Sequence, residues 1–231
     1  NSTIQGGSAR NLSIADTAST SVMHATIAGC TFGLTQNLLG GNQSLAVEAR
    51  NAGTPSHVRV SNSTFTGSMS DAMNLTGQTG TTMHVTVNSV AITNTHPGNN
   101  IGSGSMVFAS QGIMFFDARN NTMSGANGSA VTIFKANLGT QMEGTFDINI
   151  IGTNGVADSG SATGNGIFLS ASGAGAIKLA ITNNIIQRYS GNAGIYACVD
   201  SRAAGGEGVV GGVEEGRRAG DGIATAADAA V

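Results

Sequence analysis

The chain has no tryptophan, two prolines, two cysteines and only 10% charged residues among 231 positions. Each shortage excludes something. Cys30 and Cys198 lie far apart and without metal-like spacing, so both read as small apolar side chains, one in a turn and one in a strand. A net charge of −3 supplies no field to draw nucleic acid or an anionic membrane. No apolar run approaches the length of a membrane helix, so no membrane insertion of this segment is expected. There is no signal peptide, but Asn1 falls inside the repeating pattern described below, and export is not decided by that absence.

Glycine, with 35 residues, and Ser, Thr and Asn fill the space that charge leaves. All four lower helix propensity, which argues against a helical fold. Val, Ile, Leu, Phe and Met nevertheless recur in short alternating runs, which argues against disorder. An all-β chain with many turns is the remaining class.

The alternation repeats. Apolar anchors fall at Ile4, Phe32, Phe65, Ile92, Met123, Ile151 and Ile186, at separations of 28, 33, 27, 31, 28 and 35 residues. Counting back from each anchor, positions −7 and −5 are mostly apolar, as in Val58/Val60 and Val85/Val87, whereas −8 and −6 are mostly polar, as in His57/Arg59 and His84/Thr86. That period of two predicts a strand with one dry face before each anchor. A third strand follows each anchor, for example Met73-Asn74-Leu75 and Val131-Thr132-Ile133. The fold expected is therefore a right-handed parallel β-helix of about seven three-strand coils of roughly 30 residues each.

Short and long coils alternate. From anchor to third strand is 10 residues in coils one, three, five and seven, and 15, 16 and 18 in coils two, four and six. Asn1, Asn62, Asn120 and Asn183 stand at −3 before the short coils; Gly29, Ser89 and Ile148 stand there before the long ones. Asparagine tolerates the left-handed backbone of a tight corner, so a turn role is expected at −3. In alternate coils these residues would lie about 9–10 Å apart, too far to form an amide ladder with one another.

Asn-rich turns, short apolar strands, and the sequences Gly164-Asn165-Gly166-Ile167 and Gly191 to Ile195 resemble bacterial right-handed β-helix repeat proteins, autotransporter-passenger-like and pectate-lyase-like. The resemblance covers roughly residues 1–200 and implies a β-helix on a secreted or cell-surface protein. Residues 201–231 break the pattern. Eight of the last 30 residues are charged, and none of those 30 is Asn, Ser or aromatic, so the segment reads as a Gly/Ala-rich disordered tail or as sequence translated out of frame.

Candidate chemistry is sparse. His24, His57 and His84 occupy −8 in three successive coils and would form a row able to hold a transition metal or to sense acid. A ladder presents its ligands side by side, whereas a metal needs them to converge, so no metal site is expected there. Acidic residues scatter over the repeat. Asp117, Arg119 and Glu143 form the one cluster suited to acid–base work, and a surface charge network is the simpler reading. The Gly-rich runs lack the Lys and helix of a phosphate site, so no cofactor is expected. Thr26 and Thr86 share −6, but Arg59 and Asp117 interrupt that row as an ice-ordering surface. The function expected is structural or adhesive. Carbohydrate or a host or cell-surface protein would bind on the long-coil loops at 34–44, 94–105 and 153–165. The alternative is a fragment of a polysaccharide lyase or hydrolase.

Overall fold

A computed structural model describes residues 1–17, 22–35, 43–96, 104–136, 141–173, 175–191, 193–200, 224–225 and 229–230. None of these is helical; the chain coils into three parallel sheets as a β-solenoid. Sheet 1 stacks seven anchor strands, from Thr3–Ile4 to Ile185–Ile186, in chain order. Sheet 2 stacks the seven strands that follow the anchors, from Arg10–Ala15 to Ile195–Asp200. Sheet 3 stacks six parallel strands that precede the next anchor, from His24–Ala28 to Ala176–Thr182. The expected seven coils are thus six complete turns and a seventh that, among the described residues, has no parallel strand in sheet 3.

Register follows the sequence repeat. Ile4 pairs with Phe32, Phe32 with Phe65, Phe65 with Ile92, and so on to Ile151 with Ile186. Inward residues stack on their own kind: the Phe32 and Phe65 rings lie parallel at 4.4 Å. The wall residues Val58, Val60, Val85, Val87, Phe116, Ala118, Phe146, Leu179 and Ile181 are all buried. Gly144 occupies an inward position, and a Cβ there would run into the Phe116 ring, which itself stacks on Phe108 at 4.4 Å. A large residue in one coil is thus matched by the smallest in the next. All eight methionines are buried, and Met23, Met83, Met114 and Met142 share position −9, where sheets 2 and 3 meet. An unbranched, adaptable side chain suits a corner whose width changes from coil to coil.

The corner between sheets 3 and 1 does most to fix the register. Gly29, Asn62, Ser89, Asn120, Ile148 and Asn183, all at −3, have φ between +48° and +63°. Every interior corner is left-handed, whichever residue occupies it. From Gly29 to Ile148 each corner N–H donates to the carbonyl at −4 of the next coil, as in Asn62 to Asn88 at 3.1 Å and Ile148 to Thr182 at 3.2 Å. The turn role expected of asparagine at −3 holds. One place further on, at −2, Asn121, Asn149 and Asn184 form a buried amide ladder in successive coils. Asn121 donates its side-chain N–H to Asn149 Oδ1 at 2.9 Å, and Asn149 donates to Asn184 Oδ1 at 3.0 Å. The same oxygens accept the backbone N–H of the coil before, and the ladder also reaches the carbonyls of Val87, Ala118 and Phe146.

A second left-handed position separates short coils from long ones. At +2 the short coils carry Gly6, Gly67, Gly125 and Arg188, with φ from +57° to +89°, and the chain turns at once into sheet 2. Long coils carry Leu34, Asn94 and Thr153 there and continue outward.

Beyond residue 200 the description is confined to Ala224–Thr225 and Ala229–Ala230, whose backbones pair antiparallel with Ile185–Ile186 and with Ala176–Thr182. The rest of the 201–231 tail lies outside the described residues.

Two substitutions test the corner. Ile148 is half exposed, and a β-branched residue is costly at φ +54°. Ile148→Asn should therefore raise the stability to urea by about 1 kcal/mol. Asn149→Ala leaves buried amide and carbonyl groups of two coils unpaired and should lower it by about 3 kcal/mol.

Candidate functional site

The outer face of sheet 3 carries every residue that sequence reasoning singled out for chemistry. In-register pairing brings His24 beside His57 and His57 beside His84. Their rings stack with centroids 5.0 and 4.9 Å apart and interplanar angles of 4° and 8°. Phe115 continues the row at 5.0 Å from His84. Rings stacked face to face turn their nitrogens side by side rather than toward one point. Among the described residues no three His, Cys, Asp or Glu side chains form a group able to hold a metal ion. Burial pushes the His84 imidazole below its ordinary pKa, and the neighbouring His57 pushes it the same way.

Further along, row −8 becomes Glu143 and Lys178, and row −6 runs Thr86, Asp117, Thr145, Ala180. Between the rows lies an open groove of about 680 Å³, whose lining includes His84, Phe115, Asp117, Glu143 and Lys178. The acid–base candidates therefore share one surface, but each has its own partner. Arg119 Nε donates to Asp117 Oδ1 at 2.6 Å, and its Nη1 lies 3.8 Å from Asp147 Oδ2. Glu143 accepts from Lys178 at 3.1 Å and from Gln141 at 2.7 Å, and these bonds, Lys178 first, hold its carboxyl below the usual range. A general acid needs the opposite shift. Arg119 lies outside the groove lining.

The long-coil loops are only partly described; 36–42 and 97–103 lie outside. What is visible shows the loops meeting over the short corners. His96 Nε2 donates to the Thr35 carbonyl at 2.9 Å, spanning from the fourth coil to the second. A Cβ on Gly67, in the short coil between, would meet Leu34 at 2.5 Å and His96 at 3.3 Å, so glycine lets the loops close over it. The base of the 94–105 loop is tied by Asp71, which accepts the Gly104 N–H at 2.7 Å. In the 153–165 loop, 153–158 are exposed, while 160–165 are knitted into neighbouring coils through Gly160–Arg188, Ala162–Ala126 and Thr163–Asn127 backbone bonds. Only half of that loop projects, which narrows the segment expected from the sequence. Between the fourth and sixth coils lies a hollow of about 270 Å³ lined by Asn94, Thr95, His96, Asn127 and Asp158.

Sequence reasoning missed three things here. The first is that hollow, because its walls come from three coils whose loops have no common spacing. The second is Phe115, whose aromatic character in the histidine row was visible but not used. The third is Lys135, which points inward from sheet 2 and donates to the Ser172 carbonyl at 3.3 Å, its pKa lowered by burial. Nothing in the repeat marks a lysine as inward except its place two after Ile133.

The histidine row has a pH consequence. In the unfolded chain His84 titrates near 6.5 and in the fold below that, so the native state binds fewer protons over that window. Its contribution to stability is complete above about pH 6.5 and is lost as pH falls through the folded pKa. Urea midpoints between about pH 7.5 and pH 5 should drop for the natural chain and drop less for His84→Gln. Comparison of the chain with models of known protein families, with curated proteins and with solved structures found no match to any of them.

Proposed function

We propose that this solenoid is a structural or adhesive segment of a secreted or cell-surface protein, and that its ligand is held at the loop edge. The observation that carries this reading is the polar hollow of about 270 Å³ between the fourth and sixth coils. It presents an amide, hydroxyl, imidazole and carboxylate from three turns of a rigid wall. Such a set suits the hydroxyls of a sugar or the polar groups of a cell-surface protein. The resemblance of the repeat to bacterial autotransporter-passenger-like β-helices supports the extracellular setting.

A second reading rests on the groove of sheet 3, which both Asp117 and Glu143 line. It makes the chain part of a carbohydrate-active lyase or hydrolase. The downward shift of Glu143 counts against an acid role and leaves a base role open to it.

A glycan array combined with a depolymerisation screen separates the two. The adhesive reading predicts retention of at least one glycan or cell-surface protein without cleavage, weakened about tenfold by Asp158→Ala with Asn127→Ala, as expected for loss of about two polar contacts. Deleting 94–105 should weaken it further. Binding untouched by both changes contradicts the adhesive reading. Cleavage abolished by Asp117→Asn or Glu143→Gln establishes the second reading instead.

A further inference from the structure

We propose a second, separate binding surface: the N-terminal half of the outer face of sheet 3 is an acid-gated site for an anionic polysaccharide. It does not rest on the loop-edge reading, because it lies on a different face. Four side chains make it: His24, His57 and His84 in one row, and Arg59 in the next.

Three observations carry it. First, the imidazoles are evenly spaced at 5.0 and 4.9 Å, one per coil, along the solenoid axis. An extended pyranose chain repeats at nearly that interval, so a polymer with one anionic group per sugar lies in step with the row. Second, among the described residues no free carboxylate neutralises the row. The outer residues flanking the three histidines are Val22, Pro55 and Thr82 on one side and Thr26, Arg59 and Thr86 on the other, with Ala28, the buried Ser61 and Asn88 beyond. The carboxylates within reach among the described residues are occupied. Asp16, at the turn entering the sheet, is buried and accepts from the Arg50 and Asn51 amides and from Ser56 Oγ. Asp117 is tied to Arg119, and Glu143 to Lys178. Third, His24 and His57 are exposed and His84 is half-buried, so no rearrangement is needed for contact.

Arg59 gives this face one charge that does not depend on pH. Imidazole is the side chain whose charge changes between about pH 5 and 8, so a row of three lets acid add positive charge in a line on a chain whose net charge is −3. At His84 burial, and after it the neighbouring His57, already disfavour the charged imidazolium, and an anion laid along the row offsets both. Ligand and protons therefore bind together: the polyanion must raise the histidine pKa values, and acid must raise the affinity by the same linkage.

The test uses the full chain with dextran sulfate, polygalacturonate, neutral dextran and single-stranded DNA, at about pH 5 and about pH 8, either side of the ordinary histidine pKa. Calorimetry should give an affinity for at least one anionic glycan about tenfold or more higher at the acid pH, one unit of pKa shift corresponding to a factor of ten. Sulfate and carboxylate ligands are distinguished by which of the two polymers binds. His24→Gln/His57→Gln/His84→Gln should abolish the pH dependence, and Arg59→Gln should weaken binding at both pH values. Equal affinity at both pH values, a gain that survives the triple change, or comparable binding of neutral dextran overturns the proposal. Tighter binding of DNA than of either glycan overturns the ligand assignment. Should the triple variant fail to fold, NMR titration of the histidine ring protons in the unmodified chain decides: midpoints that rise on adding the polyanion support the site, and unmoved midpoints refute it.

Discussion

Parallel strands can slip, and a slip of one residue would turn the dry face of every coil toward water. In this solenoid the corner between sheets 3 and 1 prevents it. A left-handed residue at −3 sets the angle, and a side chain at −2 is drawn inside to bond along the stack. Asn121, Asn149 and Asn184 each offer one acceptor to the coil before and one donor to a carbonyl, so an out-of-step coil would leave buried amides unpaired. Toward the N-terminus the same place is held more lightly, by Ser63, whose hydroxyl accepts the Cys30 N–H at 3.2 Å. Stacked apolar side chains drive the collapse, but the corner decides which residue lies over which.

Surface chemistry follows from that registration. A residue type repeated at one position becomes a row with the spacing of the coils, and rows of rings, hydroxyls or charges arise without any dedicated loop. The histidine–phenylalanine stack and the Lys178–Glu143 pair are two stretches of one row. The long-coil loops, by contrast, are local additions that the short corners accommodate through glycine, as at Gly67. Wall and edge are therefore different kinds of surface, one periodic and one irregular, and the two proposed ligands differ accordingly.

Much of this was legible in the sequence because the fold is periodic. All seven anchors, the inward pair at −7 and −5, and the short/long alternation can be read from apolar spacing, which depends on nothing beyond one coil. The amide ladder was not read, although Asn121, Asn149 and Asn184 stand beside the residues that were. The asparagines at −3 drew attention because they mark every second coil. Those at −2 occur in three consecutive coils late in the chain, and a pattern test tuned to alternation passes over them. Ile148 illustrates a different limit. A β-branched residue in a left-handed corner contradicts local preference, and the stack imposes it from above and below. The hollow at the edge has no sequence signature, since it depends on how far each loop folds back.

Hydrogen exchange at the corner amides tests most directly whether this corner holds the register. If it does, the backbone N–H groups of Asn121 and Asn149, which donate to the side-chain oxygens of the next coil at 3.0 and 2.8 Å, exchange as slowly as the inward strand amides of Val85 and Phe116. They should open only with global unfolding. Exchange of these two amides at the rate of an exposed turn, while the strands stay protected, would show that the coils keep their register without the ladder and would contradict the account.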